Sequence, residues 1–130
     1  MEILEVTGDE TTPMVSFNGD TGFLKMSGVA IPEDVREFFS PLKEWILEYS
    51  KAPQPATELL LFFEYLNTAA SKMVFELCDL ISTIHGYEEY NAKITWKYYR
   101  GDIEMHELGE EILEQFYCLK EIIAVDEHPL

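Results

Sequence analysis

The chain is poor in basic side chains. Its 130 residues carry 9 Lys and Arg against 25 Asp and Glu, a formal net charge of −16 at pH 7. Such a surface repels phosphate backbones and anionic lipid, which makes nucleic acid and membrane poor partners and suits a partner with a basic patch. Cysteine is scarce too. Cys78 and Cys118 lie far apart with no CxxC spacing, so a zinc finger or dithiol redox motif is excluded. Both read as small core residues, Cys78 on an apolar helical face and Cys118 beside Phe116, Tyr117 and Leu119. No apolar run approaches the roughly 18–20 residues of a membrane span, and the acidic opening MEILEVTGDE has no leader pattern. A cytoplasmic protein is expected. Also missing are an HExxH motif, a phosphate-cradling glycine loop and a Ser/His/Asp or Cys/His order. No cofactor or metal is therefore expected.

Apolar residues are plentiful, at 47% of the chain with 8 Phe, 7 Tyr and 2 Trp, which argues against disorder. At this length one domain, residues 1–130, is expected. The pivotal stretch runs from Thr57 to His85. Leu59 to Leu66 is almost continuously apolar, broken only by Glu64, and reads as a strand buried on both faces, as in parallel sheets. Asn67 and Thr68 then end it, and both are good helix N-caps. Beyond Ala69 the period changes: Met73, Val74, Leu77, Cys78, Leu80, Ile81 and Ile84 make one wide helical face.

The rest is read around this unit. Glu2 to Thr7 is a weak first strand. Met14 to Phe17 and Phe23 to Met26 form a hairpin about Asn18–Gly22, closed by Gly28. A helix opens at Ile31-Pro32-Glu33-Asp34, and its apolar stripe from Val35 to Tyr49 stays in register across Pro41, which favours one kinked unit over a restart at Ser40. Ala92 to Tyr99 alternates Ile94, Trp96 and Tyr98 against Lys93, Thr95 and Lys97, a strand near an edge or partly uncovered. Asp102 to Leu113 is a short, very acidic helix, and Phe116 to Val125 a last strand. The predicted fold is α/β: a mixed, mostly parallel sheet with an N-terminal antiparallel hairpin and about three helices.

The strand-to-helix turn is the strongest functional candidate. Function in α/β folds gathers beyond the carboxyl ends of parallel strands, and a helix N-terminus favours negative charge. Thr68 is placed to carry a phosphate there, with Ser71 and Lys72 one turn on to help hold it. A plain helix cap is the bland alternative.

Several segments resemble one family over nearly the whole chain: the opening MEILEV with TP-VSF (to Phe17), GxLxxSG-xIPE (Gly22 to Glu33), EYLNTAASK (Glu64 to Lys72), WKYYRGD (Trp96 to Asp102) and EMHELGEE (Glu104 to Glu111). These are similar to the SiaC family of bacterial regulatory phosphoproteins, whose fold is STAS-like, akin to the anti-sigma factor antagonists. The resemblance implies phosphorylation on Thr68 by a serine/threonine kinase and removal of the phosphate by a PP2C-type phosphatase. It further implies that the unphosphorylated form binds a diguanylate cyclase and promotes cyclic-di-GMP synthesis and biofilm formation. Asn67, Ala69, Ser71 and Lys72 complete the phosphosite turn. Ala69 and Ala70 stand where relatives often carry serine, which leaves Ser71 as the only nearby competing hydroxyl.

Two rivals remain at this point. An enzyme would draw on His106 with Glu104, Glu107 and Glu110, the His106–Glu110 spacing of four suiting shared metal ligation, or on His85; His128 reads as idle. An unmodified interaction module would use Trp96, Tyr98 and Tyr99 as an exposed patch. In the phosphoprotein reading, the acidic helix with Glu104, Glu107 and Glu110, together with the helix after Thr68, is the expected partner surface.

Overall fold

The computed structural model describes residues 2–126. Strand β1 (Leu4–Val6), β2 (Met14–Asn18) and β3 (Phe23–Ala30) lead to helix α1 (Val35–Tyr49). Then follow β4 (Ala56–Leu66), α2 (Thr68–Ser82), β5 (Asn91–Tyr99), α3 (Ile103–Leu113) and β6 (Leu119–Val125). The six strands form one sheet in sequence order, β1-β2-β3-β4-β5-β6. β1/β2 and β2/β3 are antiparallel, and β3 to β6 are parallel. The expected mixed α/β architecture is what the chain adopts.

Sequence-order strands joined by right-handed crossovers place α1, α2 and α3 on one face of the sheet. The core lies beneath them. Leu24 and Met26 of β3, Leu59 and Leu61 of β4, and Ile94 and Trp96 of β5 are wholly buried on that face. Phe39, Leu42 and Ile46 from α1 and Val74, Leu77, Cys78 and Ile81 from α2 close over them. Among the described residues the opposite face carries no helix, which corrects the reading of β4 as buried on both sides. There Glu58 and Phe62 are half-buried and Glu64 exposed; Leu60 is shielded by its neighbours, and the ring of Phe62 packs on Tyr99 at 5.0 Å. Apolar residues on both sides of a strand therefore did not require two helical layers.

α1 runs unbroken through Pro41, with Asp34 as its N-cap, so Ile31 to Glu33 precede the helix. β5 lies one strand in from the edge, between β4 and β6, as its alternation implied. β6 forms the edge and begins at Leu119, later than the expected Phe116. Cys78 is buried and Cys118 half-buried; burial pushes both thiols up from their ordinary range.

A buried polar pair anchors the end of α1 to the start of β4. Tyr49 Oη lies 2.6 Å from Thr57 Oγ1 and also accepts the backbone N–H of Gln54 at 3.1 Å. Either hydroxyl can be the donor in this contact. Thr57→Val keeps the shape and removes the Thr57 partner, and should cost about 1 kcal/mol in urea unfolding. No change in midpoint would show that the pair contributes nothing.

Candidate functional site

Four parallel strands end together at Ala30, Leu66, Tyr99 and Val125, and the helices α1, α2 and α3 begin just past the first three. At this end β4 passes into α2 through one residue. Asn67 is the N-cap: its side-chain oxygen accepts the N–H of Ala70 at 2.8 Å, and its backbone N–H reaches Ala30 O at 3.3 Å. Thr68 is thus the first helical residue rather than the cap, and its side chain is exposed. Ser71 is half-buried and its hydroxyl donates to Thr68 O at 2.8 Å, while Ala69 and Lys72 are exposed. The two jobs expected of the turn are divided, with Asn67 holding the helix and the Thr68 hydroxyl left outward.

This separation is testable. Asn67→Ala should lose about 1 kcal/mol of stability, the usual worth of a side-chain cap, whereas Thr68→Ala should stay within about 0.5 kcal/mol of the parent. Equal losses in thermal unfolding would mean that both residues cap.

Electrostatically α2 differs from its neighbours. α1 starts with Asp34 and Glu37, and α3 with Asp102 and Glu104, acids that answer the positive end of the helix dipole. α2 has a neutral cap, no acid in its first turn, and Lys72 one turn in. In a chain of charge −16 its N-terminus is left receptive to an anion. Tyr65, 56% exposed at the end of β4, and Ile103, 68% exposed at the start of α3, add large apolar surface at this same end of the sheet.

A groove of about 470 Å³ begins beside this turn and runs between α2 and α3. Ser71, Lys72, Phe75 and Glu76 line it from α2, and Leu108, Glu111, Ile112 and Gln115 from the other side. Phe75 is 38% exposed and packs on Phe116 with ring centroids 4.9 Å apart. Sequence reading missed Phe75, Leu108 and Glu111. The available signal was Phe75 itself, a large apolar residue off the buried stripe of α2.

The three glutamates expected on the partner surface, Glu104, Glu107 and Glu110, are all exposed on α3. Glu110 Oε1 lies 3.3 Å from His106 Nε2, and the imidazole stacks on Tyr98 at 4.7 Å. The spacing of four thus yields a pair, and among the described residues no group of three or more His, Cys, Asp or Glu side chains could hold a metal ion. His85 Nδ1 accepts the N–H of Ala92 at 3.1 Å, tying the turn after α2 to β5. His128 lies outside the described residues. Trp96 is fully buried, its Nε1 donating to Met105 O at 3.1 Å, so it cannot belong to an exposed aromatic patch; Tyr98 and Tyr99 are half-buried. Among the described residues no helix is long and apolar enough to cross a membrane.

The model of the SiaC family of regulatory phosphoproteins matches residues 6–124. The chain belongs to the SiaC family. Its fold superposes on SiaC of Pseudomonas aeruginosa with a TM-score of 0.87 and 29% identity, covering 96% of this chain and 100% of that one. The same score and identity hold for SiaC from the crystal structure in which it is the activator bound to the diguanylate cyclase SiaD, over 94% of this chain and 99% of that one. An uncharacterized protein of Pseudomonas aeruginosa (strain UCBPP-PA14) is 30% identical over 114 residues, 88% of this chain and 90% of its own length. Membership of the SiaC family therefore rests on sequence and fold together.

Proposed function

We propose that this SiaC-family protein is a switchable activator of a diguanylate cyclase, with Thr68 as its phosphorylation site. A serine/threonine kinase adds the phosphate and a PP2C-type phosphatase removes it. The unphosphorylated form binds the cyclase and raises cyclic-di-GMP synthesis, feeding biofilm control in the cytoplasm. The protein itself performs no catalysis.

The observation that carries this reading is an exposed threonine on the first residue of α2, the one helix among the described residues whose N-terminus bears no acid. Phosphorylation would place roughly −1.5 to −2 charge at a terminus that favours it, with Lys72 within a turn, so the fold tolerates the modification. The partner then meets an altered surface rather than a disrupted protein. That surface combines α2 with α3, including Glu104, Glu107 and Glu110. The SiaC relative bound to its cyclase as activator supports the choice of partner class.

The test is reconstitution with the diguanylate cyclase of the same organism. Unphosphorylated protein should bind it and raise cyclic-di-GMP output several-fold, and the Thr68-phosphorylated form should do neither. Equal activation by both forms would refute the switch, and activation by neither would refute the partner.

A further inference from the structure

The helix-free face of the sheet spends several of its polar groups on one another. Lys93 Nζ lies 3.4 Å from Glu121 Oε2, and Thr95 Oγ1 donates to Glu58 Oε2 at 2.7 Å. Lys25 and Lys97 depart from this pattern. Among the described residues neither ammonium group has an ion-pair or hydrogen-bond partner, although both residues are half-buried. In a chain with 9 Lys and Arg against 25 acids, two cations left without a carboxylate on one face stand out.

Both line one cavity of about 310 Å³, at the lower end of the roughly 300–1,000 Å³ of small-molecule sites. Strand register centres it on Phe62. Ser27 of β3 and Lys97 of β5 flank that residue directly, and Lys25 precedes Ser27 by two positions. Glu64 and Tyr99 lie towards the other end, the phenol donating to the carboxylate at 3.5 Å. The rings of Phe62 and Tyr99, 5.0 Å apart and tilted by 52°, give the cavity an aromatic wall. A bulge places Glu64 here: Gly28 faces Phe63 and Val29 faces Tyr65, so the β3/β4 ladder skips it.

Two cations, an aromatic wall and one carboxylate thus follow one another across three strands. A ligand that answers all three has an anionic group, a flat ring and N–H donors on the far edge of that ring. A carboxylate is acceptor-only and can take two N–H bonds side by side. Guanine presents such a pair, N1–H beside its exocyclic amino group, whereas adenine has no donor at N1.

We propose that this cavity binds a guanine mononucleotide. Its phosphate sits between Lys25 and Lys97 in charge-assisted hydrogen bonds. The base stacks on Phe62 and Tyr99 and turns its donor edge to Glu64. A guanine nucleotide is also what the proposed partner class consumes, so this face offers a place for that pool to act on the activator. That link rests on the proposed function; the binding does not.

The probe is GMP, titrated without divalent cations into the isotopically labelled full chain and followed by NMR. A Kd of the order of 100 µM is expected, with shift changes centred on Phe62, Lys97 and Tyr99. Lys25→Gln and Lys97→Gln remove charge from the sheet surface without entering the core, and each should weaken binding at least fivefold. AMP should bind at least fivefold more weakly than GMP, and Glu64→Ala should abolish that preference. Inorganic phosphate alone should not saturate the site, and the bulkier cyclic-di-GMP should bind no more tightly than GMP. No saturable GMP binding up to about 1 mM, or shifts centred on Thr68 and Lys72 at the α2 terminus instead, overturns the proposal. Equal affinity for AMP or for inorganic phosphate overturns the guanine assignment, and tighter binding of cyclic-di-GMP overturns the mononucleotide one. Every arm uses protein unmodified at Thr68 and no partner. Their failure therefore leaves the proposed switch standing, and failure of the switch leaves the binding result intact.

Discussion

Replacing Gly109 by alanine should destabilise the protein by about 2–3 kcal/mol, although alanine is the better helix former by about 1 kcal/mol. Gly109 is buried on the inner side of α3. A Cβ built there would lie 2.5 Å from both Cδ1 and Nε1 of Trp96 and 2.8 Å from Cγ. The indole cannot yield easily. It is fully buried, its Nε1 is held by Met105 O at 3.1 Å, and Phe63 packs against it with centroids 6.1 Å apart. Either α3 lifts from β5 or the indole leaves its site, and both disturb the wall of the groove. Urea unfolding with tryptophan fluorescence checks the loss, and the near-ultraviolet signal should weaken. A variant as stable as the parent would mean that α3 does not sit on Trp96 as described.

Replacing Thr68 by glutamate should leave stability within about 0.5 kcal/mol and reduce binding of the regulated cyclase at least tenfold. The stability forecast follows from position: an acid on the first turn of a helix is favoured, and Thr68 is exposed there. The binding forecast follows from the charge placed beside Lys72 at the mouth of the groove. Glutamate brings less charge than phosphate and so should act in the same direction with smaller effect. Thr68→Ala should bind like the parent and ignore the kinase. Isothermal titration of the three forms separates these outcomes, and equal affinities would remove Thr68 from the interface.

Much of this was legible in the residues. The change from a continuous apolar run to a helical period between Leu66 and Met73 located the end of β4, the turn and the start of α2 to within a residue, while β4 begins three residues before the expected Leu59. Asn67 and Thr68 could not be told apart as caps by type, because either side chain can accept the free N–H; only the Asn67–Ala70 hydrogen bond assigns them. The uncovered face of the sheet was hidden because it depends on strand order, and a strand with Leu60 and Phe62 on its open side looks like one covered twice. The groove was hidden for a similar reason. Phe75 and Leu108 lie on helices separated by β5, and nothing local announces that they share a floor. Gly109 likewise reads as a weak point in a helix until the indole beneath it is known.

The central claim is that Thr68 is a regulated phosphosite. Intact-mass and phosphopeptide analysis of the protein from its native cells tests it most directly, with Thr68→Ala expressed alongside. The account predicts a species heavier by about 80 Da, the mass of one phosphoryl group, mapped to Thr68 and absent from the variant. A Thr68 that stays unmodified in every growth condition, or a phosphate that maps to Ser71 instead, would contradict it.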